Sequence, residues 1–195
     1  MKVGVLALQG AVAEHMKILS MLGAEAVQVR LPSDLSGLSA IIIPGGESTT
    51  IAKLLLDYGF MEPLQRLIKE NLPVMGTCAG MVLLAKNIID TDMKTLAAMD
   101  IEVRRNAFGR QVDSFETELS VPELGGDKFQ GVFIRAPIID KVNRNVDVLC
   151  KLDDEIVAAR QDKLIALSFH PELTNDFRFH KYFLGIAAGR AYCKE

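Results

Sequence analysis

Short, wholly apolar runs that alternate with helical patterns restrict the fold of this chain most. The clearest run, at 40–43, ends at Pro44-Gly45-Gly46, and a run of this length closed by turn residues predicts a strand buried on both faces. Similar patterns continue on both sides of it. We predict strands at 2–8, 25–30, 40–43 and 73–76, and helices at 11–22, 48–57, 61–71 and 81–86. This order is typical of a parallel, doubly wound α/β sheet.

The second half of the chain carries strand patterns that follow one another without helices. Turn signals such as Gly125-Gly126 and Asp153-Asp154 separate them, which indicates antiparallel hairpins added to the parallel core. The predicted strands are 100–104, 114–121, 130–135, 146–152, 155–160 and 164–169, and a last helix is expected over about 176–192. We therefore expect a mixed, mainly parallel sheet flanked by helices, in one domain that spans residues 1–195.

The composition excludes several classes of function. The chain has 195 residues, of which 49% are hydrophobic, and a formal net charge of −3. This suffices for a core but does not provide the basic surface that a nucleic-acid-binding protein needs. No apolar run approaches the ~20 residues of a membrane span, and the first residues lack the pattern of a secretory signal. We expect neither nucleic-acid nor membrane partners.

The cysteine pattern indicates free thiols. The three cysteines, Cys78, Cys150 and Cys193, are too few and too widely spaced for a disulfide framework. With only three histidines in the chain, a structural metal site is not expected either. Cys150 lies in an apolar, alternating run and is interpreted as part of the core, and Cys193 is interpreted as incidental. Reduced thiols without a secretory signal favour the cytoplasm.

Gly76-Thr77-Cys78-Ala79-Gly80 is the most informative pentapeptide. It has the G-x-nucleophile-x-G form of a nucleophile elbow, with cysteine as the nucleophile, between a predicted strand and a predicted helix. The glycines relieve crowding in a tight strand-to-helix turn, and the N-terminus of the following helix favours a thiolate. The alternative is a buried cysteine in a glycine-rich turn, which the flanking strand and helix disfavour.

His170 and Glu172 are the candidate general base and its orienting carboxylate. They follow the last predicted strand, where the catalytic groups of open α/β sheets collect. Residues two apart point the same way in an extended chain, so the carboxylate can hold the imidazole in one tautomer. His15, on the first helix, is the competing base, although no carboxylate at matching spacing orients it. His180 is expected on the solvent face of the last helix.

Pro44-Gly45-Gly46-Glu47-Ser48-Thr49 follows the buried strand at 40–43 and indicates a substrate or oxyanion loop. Glycine lets the backbone approach a ligand and direct N–H groups at it. Phosphate binding and a plain turn are the alternatives, but both common glycine-rich nucleotide-binding motifs are absent. Ser48 or Thr49 is expected to cap the helix that follows.

Together these pieces resemble the class I (triad) glutamine amidotransferases, and within them the glutaminase subunits of pyridoxal 5′-phosphate synthases. The resemblance covers nearly the whole chain, and the glycine loop and the segment 105–116 are its most specific parts. The segments that carry it are 8–12, 44–50, 76–80, 105–116, 132–137 and 168–174.

The resemblance implies a seven-stranded or similar mixed sheet and a triad of Cys78, His170 and Glu172. It further implies a glutaminase without metal or cofactor that passes ammonia from L-glutamine to a synthase subunit. The residues expected to line the glutamine site are Gly46, Glu47, Ser48, Arg105, Ile134 and Arg135. The backbone N–H groups of Gly46 and Ala79 are expected to hold the oxyanion.

Three other functions stay open from sequence. The glutaminase could serve another acceptor, such as an imidazole glycerol phosphate synthase. The chain could be a thiol hydrolase or redox protein with an exposed elbow cysteine, or a catalytically silent binding module.

Overall fold

The computed structural model describes residues 1–89, 91–107 and 114–190. Within these ranges the strands are β1 (Lys2–Leu6), β2 (Glu25–Val29), β3 (Ala40–Ile43), β4 (Val74–Thr77), β5 (Ala85–Ile88), β6 (Met99–Arg104), β7 (Ser114–Leu119), β8 (Phe129–Ile134), β9 (Ile138–Val142), β10 (Asp147–Leu152), β11 (Glu155–Gln161) and β12 (Leu164–Leu167). The α-helices are α1 (Val12–Met21), α2 (Ser48–Asp57), α3 (Met61–Lys69), α4 (Ala79–Leu84) and α5 (Arg178–Ala187). None of these helices has the length and apolar character needed to cross a bilayer.

The main sheet joins the two halves of the chain. Its strand order is β2-β1-β3-β4-β12-β11-β9-β6-β5, with β10 paired to β11, and β7 and β8 form a separate hairpin. Strands β2, β1, β3, β4 and β12 are mutually parallel. Strand β11 runs antiparallel to both β12 and β9. The predicted mixed α/β sheet is therefore confirmed, with ten strands in the described residues where seven or a similar number were expected.

Both faces of the central parallel strands β1, β3, β4 and β12 are buried, as the run at 40–43 predicts. In β3, Ile41 and Ile43 pack with α2, α3 and α4, whereas Ala40 and Ile42 pack with α1, α5 and the β7–β8 hairpin. Successive side chains of a strand point to opposite faces, so a strand with helices on both sides must be apolar throughout.

Four local predictions were wrong or incomplete. The helix predicted over 81–86 ends at Leu84, and the chain continues as β5. All six residues of α4 are buried, so no amphipathic period marks where the helix ends. Strand β9 was not predicted because its five residues, Ile-Ile-Asp-Lys-Val, do not alternate between apolar and polar side chains and follow Pro137. The last helix, expected over about 176–192, spans Arg178–Ala187 and so ends before the described residues do; residues 191 and 192 lie outside the described residues, as does Cys193.

The parallel strands bring three loops to one edge of the sheet. Ile43 at the end of β3 pairs with Gly76 in β4, and Leu167 at the end of β12 pairs with Thr77. The glycine loop, the elbow and the His170 segment leave the sheet directly after these three neighbouring strand ends. The sheet therefore brings these three predicted functional segments together at the edge where ligands of open α/β sheets bind.

Candidate active site

Cys78 occupies a strained turn between β4 and α4. Its φ is 49° and its ψ is −103°, a combination that residues with a side chain rarely adopt. Its backbone N–H donates to the carbonyl of Leu167 at 2.7 Å, which fixes the turn against β12. A Cβ at Gly76 would lie 2.5 Å from the backbone of Gly80, and one at Gly80 would collide with the carbonyl of Ile43. Both glycines are needed for this turn.

His170 is held from two sides. Its backbone N–H donates to the carbonyl of Val132 in β8 at 2.8 Å. Its Nδ1 lies 2.7 Å from Glu172 Oε1, which leaves Nε2 for Cys78. The prediction that an extended chain brings Glu172 to His170 was wrong. Pro171–Leu173 is instead a 3₁₀ turn that begins with Pro171 and folds Glu172 back under the imidazole.

The electrostatics favour a charged imidazole. Burial by itself would lower the pKa of His170, but hydrogen bonds with Cys78 and Glu172 outweigh it and raise the pKa to about 10. Burial likewise opposes ionisation of Glu172, yet the neighbouring His15 and His170 hold the pKa of that carboxyl below its ordinary value. At neutral pH the site therefore contains an imidazolium between a carboxylate and the Cys78 sulfur.

His15 and His180 form a buried pair behind the triad. His15 Nε2 lies 3.4 Å from Glu172 Oε2, and His15 Nδ1 lies 3.0 Å from His180 Nε2. Both imidazoles are fully buried, so the prediction that His180 faces solvent is wrong. His15 contacts Oε2 of Glu172, the oxygen that does not face His170, and it does not line the cavity at Cys78. A base that acts on the substrate would have to line that cavity.

The sequence did contain a signal for this burial. Leu19 follows His15 by one helical turn and is fully buried. His180 is flanked by Phe179, Tyr182 and Phe183, which are also fully buried. Helical spacing therefore placed each histidine on an apolar face, but it could not show that the two faces meet behind Glu172.

A cavity of about 230 Å³ opens beside Cys78 and His170. Pockets for drug-sized molecules are larger, ~300–1,000 Å³, so this volume suits a small substrate such as a free amino acid. Every residue predicted to line the glutamine site lies on its wall: Gly46, Glu47, Ser48, Arg105, Ile134 and Arg135, together with Ala79. Val82, Asn106 and Pro137 also line it, although they were not predicted to do so.

Two arginines give this cavity positive charge. The Nε of Arg105 is buried and has no hydrogen-bond partner within the described part of the chain. Arg135 lies at the end of β8 with a φ of 42°, again a conformation that side chains rarely adopt. A buried guanidinium donor without a partner is costly, so a ligand with an acceptor group would stabilise it.

Glu47 shapes the loop that forms the opposite wall. Its carboxylate, rather than Ser48 or Thr49, caps α2: it accepts from the backbone N–H groups of Thr49 at 3.1 Å and Thr50 at 2.7 Å. Partial burial opposes ionisation, but these bonds and those from the threonine hydroxyls lower the pKa of Glu47 to about 2. The Glu47 backbone N–H donates to Gln9 Oε1 at 3.0 Å, which ties the loop to the segment after β1. The predicted cap was wrong because the longer glutamate side chain reaches the same N–H groups.

A second, wider cavity lacks the candidate catalytic and substrate-binding residues. It has a volume of about 800 Å³ and lies between the β7–β8 hairpin and the start of α5. Its wall carries acidic and basic side chains and none of the residues at the Cys78 cavity. Across 1–89, 91–107 and 114–190, no group of three or more histidine, cysteine or acidic side chains is arranged to hold a metal ion.

Comparisons with known proteins agree with this geometry. Residues 5–187 match the SNO glutamine amidotransferase family. The pyridoxal 5′-phosphate synthase subunit PdxT of Carboxydothermus hydrogenoformans is 56% identical over 184 residues, 94% of this chain and 96% of that protein. The subunit of the same name from Herpetosiphon aurantiacus is 58% identical over 190 residues, 95% of this chain and all of that protein.

Solved structures give the same result. A crystal structure of a glutamine amidotransferase superposes with a TM-score of 0.90 at 49% identity, covering 95% of this chain and 98% of that one. PurLQS from Thermotoga maritima shares the fold alone, with a TM-score of 0.71 at 15% identity over 96% of this chain and 97% of that chain. The expected fold and the resemblance to glutaminase subunits are therefore confirmed, and the chain belongs to the SNO glutamine amidotransferase family.

Proposed function

We propose that this protein hydrolyses L-glutamine through Cys78, His170 and Glu172 and delivers the ammonia for pyridoxal 5′-phosphate synthesis. One observation carries the catalytic part: the elbow cysteine and the imidazole share the wall of a small cavity that two arginines also line, and the carboxylate lies 2.7 Å from the imidazole. The family match and the relatives' names support the glutaminase activity and its place in vitamin B6 synthesis.

The first half-reaction forms a thioester. The Cys78 thiolate attacks the side-chain amide carbon of glutamine, and the amide oxygen becomes an oxyanion. The backbone N–H groups of Gly46 and Ala79 donate to that oxygen. Ala79 is the first residue of α4, so its N–H has no intrahelical acceptor. His170 gives its Nε2 proton to the amide nitrogen, the C–N bond breaks, and ammonia leaves.

The second half-reaction restores the enzyme. Neutral His170 removes a proton from water as the water oxygen attacks the thioester carbon. The C–S bond breaks, glutamate leaves, and the Cys78 thiolate pairs again with the imidazolium. Glu172 keeps one tautomer of His170 throughout and stabilises its charged form.

The walls of the cavity hold the amino-acid end of the substrate. We assign the substrate carboxylate to Arg105, whose Nε has no partner in the described residues, and to Arg135. The backbone of Gly46, Glu47 and Ser48 lines one wall and Ile134 the other. Because threonine donors already occupy its carboxylate, Glu47 contributes its backbone rather than its charge.

The ammonia passes to a synthase subunit that assembles pyridoxal 5′-phosphate from a pentose phosphate and a triose phosphate. The names of the relatives, subunits of pyridoxal 5′-phosphate synthase, support this partner. We treat residues 1–195 as one glutaminase domain, because β4 and β12 from opposite halves of the chain are neighbours in the sheet. A thiol nucleophile must stay reduced, which favours the cytoplasm.

Substitution of Cys78 tests the catalytic proposal. Cys78→Ala should abolish glutamine-dependent ammonia release, assayed together with the synthase subunit, while circular dichroism shows the folded protein. Cys150→Ala is the matched control, because Cys150 is also a buried free thiol but lies in β10, and it should retain turnover. Wild-type turnover in Cys78→Ala would contradict the proposal.

A further inference from the structure

The buried pair His15 and His180 has no part in the steps above, although it contacts the triad. Glu172 presents Oε1 to His170 at 2.7 Å and Oε2 to His15 at 3.4 Å. His180 lies behind His15, with 3.0 Å between His180 Nε2 and His15 Nδ1. The series therefore runs from Cys78 through His170 and Glu172 to His15 and His180, on segments from four different parts of the chain.

The buried atoms that lack hydrogen-bond partners determine which nitrogen donates and which accepts in these contacts. In the described residues, His180 Nδ1 and Glu172 Oε2 are buried and lack a hydrogen-bond partner of good geometry. If His15 Nδ1 donated to His180, the proton of His180 would lie on its Nδ1 as an orphaned buried donor, and a lone pair of His15 Nε2 would face the carboxylate. Orphaned buried N–H groups are rare and costly.

The opposite arrangement satisfies every donor. His180 carries its proton on Nε2 and donates to His15 Nδ1, and His15 carries its proton on Nε2 and directs it at Glu172 Oε2. Thr77 Oγ1, at 3.5 Å from His15 Nε2, adds a second acceptor on the same side. No buried N–H of the pair is then orphaned: the lone pair of His180 Nδ1 has no partner, and Glu172 Oε2 has the 3.4 Å contact from His15 Nε2.

We propose that His15 is a positioning residue of the glutaminase reaction: its Nε2–H holds the second oxygen of Glu172, and His180 fixes the tautomer of His15 that makes this contact. A carboxylate held at both oxygens cannot rotate away from His170, so the imidazole stays aligned with Cys78 through both half-reactions. The inference rests on the proposed role of Glu172 in catalysis.

The charges around His15 are consistent with a neutral donor. Burial lowers the pKa of His15 below its ordinary value, and His170 lowers it further, whereas Glu172 and Glu14 act in the opposite direction. His180 is neutral as well, because burial and the neighbouring His15 lower its pKa to about 3.

The tautomers can be observed directly. Ring nitrogen chemical shifts of ¹⁵N-histidine-labelled protein, assigned by single histidine substitutions, distinguish Nε2–H from Nδ1–H imidazole. We expect neutral Nε2–H forms for His15 and His180 across neutral pH. A proton on Nδ1 of His15 would overturn the proposal whatever the activity of the enzyme, so this result is separate from the fate of the proposed function.

Substitution tests the positioning role. His15→Leu removes the donor and should lower kcat for glutamine hydrolysis about ten- to hundredfold, the range for loss of a hydrogen bond to a charged group, with little change in KM because His15 does not line the cavity. It should also move the acid limb of the kcat profile to higher pH, because Glu172 loses an N–H contact that favours its ionised form. His15→Gln keeps an N–H donor near the Nε2 position and should recover much of the loss.

Two controls separate positioning from general destabilisation. Leu19→Ala removes a fully buried side chain on the same helix and should lower the free energy of unfolding without moving the pH profile or kcat. In a Glu172→Gln background, His15→Leu should have little further effect. An unshifted pH profile and unchanged kcat in folded His15→Leu, or equal losses in His15→Leu and His15→Gln, would overturn the proposal.

Discussion

The charge of His170 depends on its two neighbours, Cys78 and Glu172. Their hydrogen bonds outweigh the effect of burial and raise the pKa of His170 from 6.5 to about 10. A histidine with its ordinary pKa would be mostly neutral at physiological pH and could not protonate the leaving ammonia. Cys78 and Glu172 therefore set the protonation state of His170, the acid of the proposed mechanism.

Glu172→Gln tests this effect on pH dependence. A raised pKa means that the imidazolium form is present below it and is lost as the pH rises through it. On the alkaline side, the wild-type kcat/KM should fall only near the raised pKa of His170, and in Glu172→Gln this fall should begin at lower pH, because the carboxylate charge that raises the pKa is gone. Loss of the proton of glutamine itself affects both proteins equally, so the difference between their profiles isolates His170. Identical alkaline limbs would show that Glu172 does not control the proton of His170.

At the level of single residues, the sequence predicted which side chains belong to the candidate site better than it predicted the contacts between them. The elbow and the His-Pro-Glu segment identified Cys78, His170 and Glu172 as candidates. The 3₁₀ turn at Pro171 and the contact between Glu172 and His15 depend on packing between distant segments, which no local spacing records.

At the scale of elements, helix α2 begins with an acidic cap, Glu47, that also lines the cavity beside Cys78. Glu47 satisfies the N–H groups of Thr49 and Thr50 and holds the loop in the conformation that faces Cys78. The stability of this helix end and the shape of the cavity therefore depend on the same carboxylate.

Glu47→Gln should lower stability in a pH-dependent way. The pKa of Glu47 is lowered from 4.5 to about 2, so its contribution is fully present above pH 4.5 and is lost as the pH falls toward 2. We expect the variant to be less stable by about 1 kcal/mol, the usual value of an N-cap, in urea unfolding near neutral pH. That difference should shrink through the acid range. A difference independent of pH, or none near neutrality, would contradict the capping role.

Elements could be predicted where local pattern and burial agree. The four-residue apolar run of β3 is buried on both faces, as its sequence requires. Strands β5 and β9 escaped prediction because pairing in the sheet, rather than their own composition, makes them extended. The hairpin β7–β8 was recognised as two strands, but its separation from the main sheet is a matter of packing.

The whole molecule is best understood as half of an ammonia-transfer system. Its relatives are subunits by name, and Gly46, the loop residue proposed as one oxyanion donor, is exposed. We expect glutamine hydrolysis to be weak for the isolated chain and to rise at least tenfold when the synthase subunit docks. Ammonia release at matched glutamine concentrations, with and without that subunit, measures this ratio. Equal rates would mean that the isolated chain already holds a complete oxyanion site.

Detection of the glutamyl thioester on Cys78 is the most direct test of the proposed mechanism. The protein, with its synthase subunit, is mixed with glutamine, quenched in acid within a turnover, digested and analysed by mass spectrometry. We predict a glutamyl adduct on the peptide that contains Cys78, formed as ammonia appears and absent from Cys78→Ala. Ammonia release without any adduct at Cys78, or an adduct on another residue such as Cys150, would contradict the assignment.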